Sequence, residues 1–536
     1  MTDAVELAVA RDLLESVAQE MAEACVRTAV SANIKERRDL SAAVFDGRGR
    51  LVAHAAHIPV HLGAMPLGVR AALARVRLRE GDVVLFNDPY EGGTHLPDVT
   101  ALAVLADRRG RPCFHVAIRA HHADIGGATP GSMAPADSIH AEGLRIPPVR
   151  WIRGGVEDDD VGRLLLANVR EPLERRADLE AMVAALRHGL ARLRALAARD
   201  GLAAWAARAA ALLAHGRRVA AATFAALPDA TARSEARLGV PGVDGRPATL
   251  RVRLTKRGRR LAVDFGGTTG PVGAGLNATA AVTRSAVAYF VRCLAPEDAP
   301  SNDGLVDDVD VAIPAGSCLD APYPAPVAGG NVETSQRLVD VLWLAAAKAW
   351  PARFPAPGAG TMSNWTLGPT PGGPPFAPYY ETVPAGAGGG PHGPGADAIQ
   401  QHMTNTRSTP VEILEGRLPV RVRRVAVRRG TGGAGRHPGG CGLLREVEVL
   451  VPVTFSWLMT RHDDPPPGVA GGRPGAVGHV SVRVGGRWRS QPPRGCVTLA
   501  AGDAFRVETP GGGGYGTPSR AAGAGKGAGR SRRAVR

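Results

Sequence analysis

The sequence predicts an α+β protein built from mixed multi-strand sheets, with a long helical segment in the middle and two intimately packed lobes. Three observations predict it. Short β-branched apolar runs, bounded by Gly, Asp and Pro, recur from the hairpin-like stretch at Ser41 to Asp124. From Asp160 to about Leu227 the chain is instead rich in Ala, Leu, Arg and Glu, the composition of good helix formers. Beyond it the apolar/polar alternation of strands returns and runs on through the last hundred residues. A chain of 536 residues exceeds the ~250 to 300 at which one hydrophobic core usually stops growing, so more than one lobe is expected. We place an N-terminal lobe at 1–230, a β-rich lobe with glycine-rich cleft loops at 231–518, and a disordered basic tail at 519–536.

Residues 3–30 repeat apolar positions at helical spacing with acids early, which predicts an opening amphipathic helix. SAAVFDGRGRLVAHA reads as a hairpin whose Asp46-Gly47 pair supplies the positive φ of a tight turn. HIPVHLGAMP follows, and PLGVRAALARVRL is a short helix. GDVVLFNDP, DVTALAVLA and RPCFHVAIRAHHAD read as three strands. After the central helices, ATLRVRLTKRGRRLAVDFGGTT predicts another hairpin, and REVEVLVPVTFSWLMTRHD, GHVSVRVGGRWRS and DAFRVETPGG predict further strands. GPTPGGPPFAPYYETVPAGAGGGPHGPGAD has too little apolar content for a core segment, so it is either disordered or a loop held around a site. No fixed-period repeat is visible, which argues against a solenoid or propeller.

A formal net charge of +15 raises the question of nucleic acid. Six of the basic residues lie between Arg520 and Arg536 with no acid among them, and the remaining excess of +9 is interleaved with acids. No nucleic-acid partner is therefore expected. The tail GAGKGAGRSRRAVR has almost nothing to bury. Cys25, Cys113, Cys293, Cys318, Cys441 and Cys496 form no C-x-x-C pair, which fits reduced, mostly buried thiols in a cytoplasmic protein. Acids mixed into the first apolar positions argue for a helix and against a signal peptide, and no apolar run is long enough to suggest a membrane span.

Two stretches concentrate chemistry: NDPYEGGTHLPD at 87–98 and AHHADIGG at 120–127. His95 and Asp98 stand three apart beside one apolar run, and His121, His122 and Asp124 close its neighbour. In extended chain alternate residues share a face, so His122 and Asp124 can point together. Two such strand ends side by side would gather imidazole and carboxylate into one pocket, the ligand mixture of divalent Zn or Mn. The competing reading is that these residues only cap turns. Gly92, Gly93, Gly126 and Gly127 leave room for close approach to the backbone, or serve ordinary turn geometry. His57 and His61, four apart in HIPVHLG, share a face if extended and fit either a substrate contact or a structural role. DFGGTTGPVGAGLNAT lacks the Lys-Ser/Thr ending of a phosphate loop, and no G-x-S-x-G, kinase set or H-E-x-x-H occurs.

Read in order over roughly residues 5–516, several blocks closely resemble one family. They are SANIKERRDLSAAVFDGRGRLVAHAAHIPVHLGAMP, FNDPYEGGTHLPDVT, AHHADIGG, AGGNVETSQRLVDVLWLA, GTMSNWTLG, YYETVPAGAGGGPHGPGADAIQQHMTNTRSTPVEILE and ETPGGGGYG. The resemblance is to the B subunit of the hydantoinase/oxoprolinase family, which includes N-methylhydantoinase B subunits and the C-terminal half of 5-oxoprolinase. A subunit of acetone and acetophenone carboxylases is related to it. The resemblance implies an ATP-dependent amidohydrolase and a hetero-oligomer. In it a separate, ATP-using A subunit phosphorylates the carbonyl oxygen of a small lactam or cyclic imide, and the B subunit opens the ring.

Carried onto this chain, the resemblance implies a metal at His95, Asp98 and His121 or His122, with Asp124 as ligand or as a neighbour orienting one. Asp124 and Glu333 are candidates to take a proton from water. Gln336, Asn364, Asn405 and Arg407 fall in the best-matching blocks, and Arg407 suits a bidentate grip on phosphate or carboxylate, or an internal ion pair. Two rivals stand beside this expectation. One is a subunit of an ATP-dependent ketone carboxylase; the other is a noncatalytic scaffold for the A subunit.

Overall fold

The computed structural model describes residues 4–55, 57–242 and 245–519, so the expected basic tail lies, apart from Ser519, outside the described residues. The opening helix forms over Ala4–Thr28 and buries Leu14, Val17, Ala18 and Met21. Seven strands then build one sheet: β1 (Leu40–Asp46), β2 (Leu51–His54), β3 (Val83–Phe86), β4 (Asp98–Ala106), β5 (Pro112–His121), β6 (Val149–Arg153) and β7 (Val156–Glu157). Their order is β2-β1-β5-β4-β3-β6-β7, antiparallel throughout. β4 and β5 are covered on both faces, which is why they read as nearly unbroken apolar runs. Ala43, Phe45, Leu102, Val104 and Ala117 pack with Met65 and Val69 of the helix His61–Arg75. The alternate residues Ala42, Val44, Ala101, Val116 and Ile118 pack with Leu14, Met21 and Leu186 of the helices Ala4–Thr28 and Pro172–Asp200.

The helix Leu202–Ala225 joins two cores: Trp205 and Leu212 belong to the first, Ala220 and Phe224 to the second. In the second core, strands Ala230–Pro241, Pro247–Arg257 and Arg260–Asp264 run antiparallel, and Val309–Ala312 adds parallel to the last of them. Helices Ala280–Leu294 and Ser335–Ala349 pack into this core, as do Ile58, Val60 and Leu458, so residues distant in sequence close it together. The last third forms a four-stranded and a five-stranded sheet around Trp365, Phe455, Trp457 and Phe505, with the Phe455 and Phe505 rings stacked at 4.1 Å. The fold is thus α+β, with several antiparallel sheets. Among the described residues no helix is long and apolar enough to cross a membrane.

Three local expectations need correction. In the β1–β2 hairpin the positive φ falls on Gly49, at +75°, and not on Gly47. Asp46 Oδ1 accepts from the backbone N–H groups of Arg48 and Arg50, which widens the turn by two residues. His57 and His61 do not share an extended face, because His61 is the first residue of the helix that runs through Pro66 to Arg75. Of the six free thiols only Cys25 and Cys318 are buried.

The glycine-rich segment is neither disordered nor a loop on its own. Extended stretches around 355–360, 385–397, 431–442, 466–476 and 510–516 lie side by side and bond through their backbones. Gly389 N donates to Gly513 O at 2.8 Å, Gly440 N to Ala387 O at 2.7 Å, and Gly512 N to Gly440 O at 2.9 Å. A Cβ on Gly388 would stand 1.8 Å from Ala356 O, and one on Gly512 2.0 Å from Ala387 O. Only glycine permits backbones this close, the same logic that places it at a collagen axis. One member of this bundle, 355–360, leads directly into the Thr361–Asn364 turn beside the site.

Candidate metal centre

β4 and β5 position the site by register. Asp98 sits directly across from His121. Both side chains point to the layer of the helix His61–Arg75, and the loop that enters β4 brings His95 to the same place. His95, Asp98 and His121 are all buried, and their ligand atoms lie within 4.8 Å of one another. Asp98 Oδ2 is 3.3 Å from His95 Nε2 and 3.3 Å from His61 Nε2. Thr94 Oγ1 and Asn331 Nδ2 both donate to the same oxygen. A cavity of about 20 Å³ is lined by His61, Asp98, His121, Asn331, Met362 and Tyr380. One water needs ~10–15 Å³, so the space admits a single small occupant.

The electrostatics suit a cation. Burial opposes ionisation of Asp98, yet the imidazoles of His95 and His61 hold its carboxyl well below the ordinary carboxylate range. Burial, with His95 beside it, keeps His121 far below the usual imidazole value; burial likewise lowers His61, against the pull of Asp98. Neutral imidazoles around an ionised carboxylate are metal-ligand chemistry.

The donor atoms pass the same test. His95 Nε2 and His121 Nε2 are buried without a hydrogen-bond partner. His95 Nδ1 donates to Ala328 O at 3.3 Å, which leaves Nε2 as a lone pair. His121 Nδ1 lies 3.2 Å from the Asn33 amide, whose buried Oδ1 lacks a partner. Turning that amide end for end satisfies Oδ1 with Nδ1–H and again frees Nε2. Tyr380 stacks on the His121 ring at 4.5 Å and holds its plane. The residues present therefore fit a divalent ion at His95, Asp98 and His121.

Five expected residues fall elsewhere. His122, one step along the chain from His121, faces the opposite layer. There it lines a small apolar cavity with Leu85, Leu179 and Arg175, and burial with the Arg175 charge lowers it to about 4. It is no ligand of this cluster, because strand alternation forbids both histidines from facing one side. Asp124 is also corrected as ligand and base: both its oxygens are occupied. Gly126 N and Arg170 N donate to Oδ1, while Gly131 N and the Arg170 guanidinium, at 2.8 Å, donate to Oδ2. Asn405 and Arg407 are exposed, alternating with the cavity-lining Thr404 and Thr406. His57 is half-buried off the cluster, and burial with the Arg38 charge lowers it to about 4.

Glu333 and its neighbours support the cavity wall. Glu333 Oε1 accepts from Met362 N at 3.0 Å and Asn364 Nδ2 at 3.4 Å, and Oε2 from Thr460 Oγ1 at 2.7 Å. Burial pushes its carboxyl up to about 7. Gln336 donates to Gln401 O at 3.0 Å, and Asn364 also donates to Leu458 O. Asn331, on the same wide helical turn as Glu333, carries the link to Asp98.

The sequence model of the Hydantoinase B/oxoprolinase family matches residues 3–518. This chain belongs to that family. As a hydantoinase B/oxoprolinase chain it is 36% identical to 5-oxoprolinase 1 of Arabidopsis thaliana, over 96% of its own length and 42% of that protein. It is 29% identical to the putative B subunit of a D-/L-hydantoinase of Pseudomonas sp. (strain NS671), over 96% and 90%. The chain spans about two fifths of the length of the 5-oxoprolinases it matches. Among solved structures, the ATP-dependent caprolactamase from Pseudomonas jessenii superposes with a TM-score of 0.88 at 27% identity, covering 97% of this chain and 93% of that one. Acetone carboxylase superposes at 0.86 with 17% identity, over 95% and 75%, a likeness of fold alone.

In this hydantoinase B/oxoprolinase chain, sequence reading missed Asn33, Ser41, Thr94, Asn331 and Tyr380. Asn33 and Asn331 stood in blocks already singled out, and Asn331 is two residues from Glu333. Ser41, which bonds His61 Nδ1 at 2.8 Å, carried no signal in a strand of small residues.

Proposed function

We propose that this chain is the ring-opening B subunit of an ATP-dependent amidohydrolase that acts on a small lactam or cyclic imide. In this reading an A-type, ATP-binding subunit first phosphorylates the carbonyl oxygen, and the pair works as a hetero-oligomer in the cytoplasm. The observation that carries it is the buried His95, Asp98 and His121 group, whose ligand atoms lie within 4.8 Å of one another, with unpartnered Nε2 atoms on both histidines and a cavity of about 20 Å³ lined by Asp98 and His121. The names of its relatives support the substrate class.

His95, Asp98 and His121 would hold a divalent ion, Zn or Mn by donor chemistry. When bound, it supplies Lewis-acid polarisation and a source of hydroxide near neutral pH. Thr94 and Asn331 fix the Asp98 carboxylate, and Asn33 and Tyr380 fix His121. His61, held at Nδ1 by Ser41, donates from Nε2 to Asp98 Oδ2 and so steadies that carboxylate as well. Glu333, itself bonded by Asn364, holds the Met362 wall in place, and Gln336 holds the backbone at Gln401. A scaffold would have no use for unpartnered buried imidazole nitrogens, each of which costs stability.

The test is co-expression with its A-type subunit and assay of ATP hydrolysis coupled to opening of 5-oxoproline, hydantoin and N-methylhydantoin. The reading predicts coupled turnover on at least one of these rings, lost in His95→Ala and Asp98→Ala. Full turnover in both variants would overturn it.

A further inference from the structure

One charge buried beside the cluster has almost nothing to bond. Arg119 stands on β5 two residues before His121, so both side chains leave the same face of the strand, about 7 Å apart along it. Register sets its neighbours: it lies across from Thr100 of β4 on one side and Ser41 of β1 on the other. Thr100 follows Asp98 by two positions, and Ser41 bonds His61 Nδ1, so Arg119 occupies the row next to the Asp98 and His121 pair. Its Nε donates to Thr100 Oγ1 at 2.8 Å, while Nη1 and Nη2 are buried without a partner among the described residues. The helix His61–Arg75 closes over it at Gly68, where an added Cβ would stand 3.2 Å from Nη2 and 3.1 Å from Gly92 O. Arg119 is 0% exposed.

A buried cation with two idle nitrogens costs stability that one hydroxyl contact does not offset. Its charge and that of Asp98 act on one another, and it also acts on His61. The acids lining the cavity are Asp39 and Asp98, whose two charges match those of a divalent ion. Arg37 and Arg119 then leave the loaded centre positive. Arg37 has other work, donating to Tyr380 O, Thr382 and Thr406. Arg119 has little beyond its charge.

We infer that Arg119 is a specificity residue: acting through space and not by contact, it biases the centre toward an anionic substrate, the phosphorylated ring, over the neutral ring that has not been activated. The inference rests on the reading proposed above, in which an A-type subunit delivers a ring phosphorylated at its carbonyl oxygen. A unit charge about 7 Å away, at an effective dielectric of ~20 to ~40, shifts a binding constant by about ten- to fiftyfold. The sign depends on the ligand, because the guanidinium repels a divalent cation and attracts a phosphate. A residue that merely held the fold would move both affinities the same way.

The experiment uses the full chain, with Mn and inorganic phosphate as probes. Competition against a chelator gives the affinity for Mn, and calorimetry on the Mn-loaded chain gives that for phosphate. Arg119→Met, which keeps a long unbranched side chain without the charge, should bind Mn about tenfold more tightly and phosphate about tenfold more weakly. The His95, Asp98 and His121 side chains lose no hydrogen bond in that variant, because Arg119 bonds Thr100 alone among the described side chains. Arg119→Lys should restore both constants. Arg119→Gln, which can still donate to Thr100, takes the place of the methionine variant if urea unfolding shows that the latter does not fold. Both affinities moving in one direction, neither moving, no phosphate binding by the Mn-loaded wild type, or failure of lysine to restore them overturns the inference while the cluster reading stands. A wild-type chain that takes up no Mn overturns the cluster reading and this inference with it.

Discussion

Glu142 offers the sharpest test of how the cluster is supported. Its carboxyl is 2% exposed, Oε1 accepts from Ala328 N at 2.9 Å, and Oε2 has no partner. Burial pushes it up to about 8, opposed only by the backbone N–H groups of Ala328 and Val327. A carboxyl raised in the folded state binds its proton there while the unfolded chain, at ~4.5, has released it. Its contribution to stability is therefore whole below pH ~4.5 and is lost as pH rises through about 8. Each unit of pH within that window costs up to ~1.4 kcal/mol, so raising pH from 6 to 8 should cost about 2 kcal/mol through Glu142. Glu142→Gln keeps an acceptor for Ala328 N and removes the titration. Urea unfolding at pH 6 and pH 8 should show the variant's stability falling less than the wild type's by about that amount. An identical fall in both proteins would refute the reasoning.

Three further outcomes follow from the packing. Gly512→Ala drives a Cβ to 2.0 Å from Ala387 O and should cost more than ~3 kcal/mol in urea unfolding, while Gly270→Ala, with nothing within 4 Å of the added atom, should stay within ~0.5 kcal/mol. Arg170→Ala removes the guanidinium from buried Asp124 but leaves three backbone donors, so a loss of about 2 kcal/mol is expected with metal content unchanged. Tyr380→Leu removes the ring stacked on His121 and should weaken metal binding about tenfold in a competition titration against a chelator, with the stoichiometry kept.

The elements most legible in the sequence were those with a strong period. β4 and β5 announced themselves because burial on both faces demands unbroken apolar runs, and the central helices did so by composition. That His95, Asp98 and His121 come together was legible because residues flanking two paired strands meet. What blurred was facing. Nothing local distinguishes His121 from His122; the choice follows from the register that pairs Asp98 with His121. His61 reached the cluster through a helix that starts five residues before Pro66, and a proline inside a helix, where it removes a backbone donor, hides the helix start from a sequence reading. Asp124 looked like a base because its partner, Arg170, lies 46 residues away. The glycine-rich segments read as shapeless because their order comes from one another: each is stabilised by backbone bonds to stretches dozens of residues off.

Metal analysis by mass spectrometry, on chain purified after Zn or Mn loading and dialysis, tests the account most directly. It predicts one ion per chain in the wild type and in His122→Ala, and none in His95→Ala, Asp98→Ala or His121→Ala. An ion-free wild type, or an ion lost with His122 and kept without His121, would contradict it.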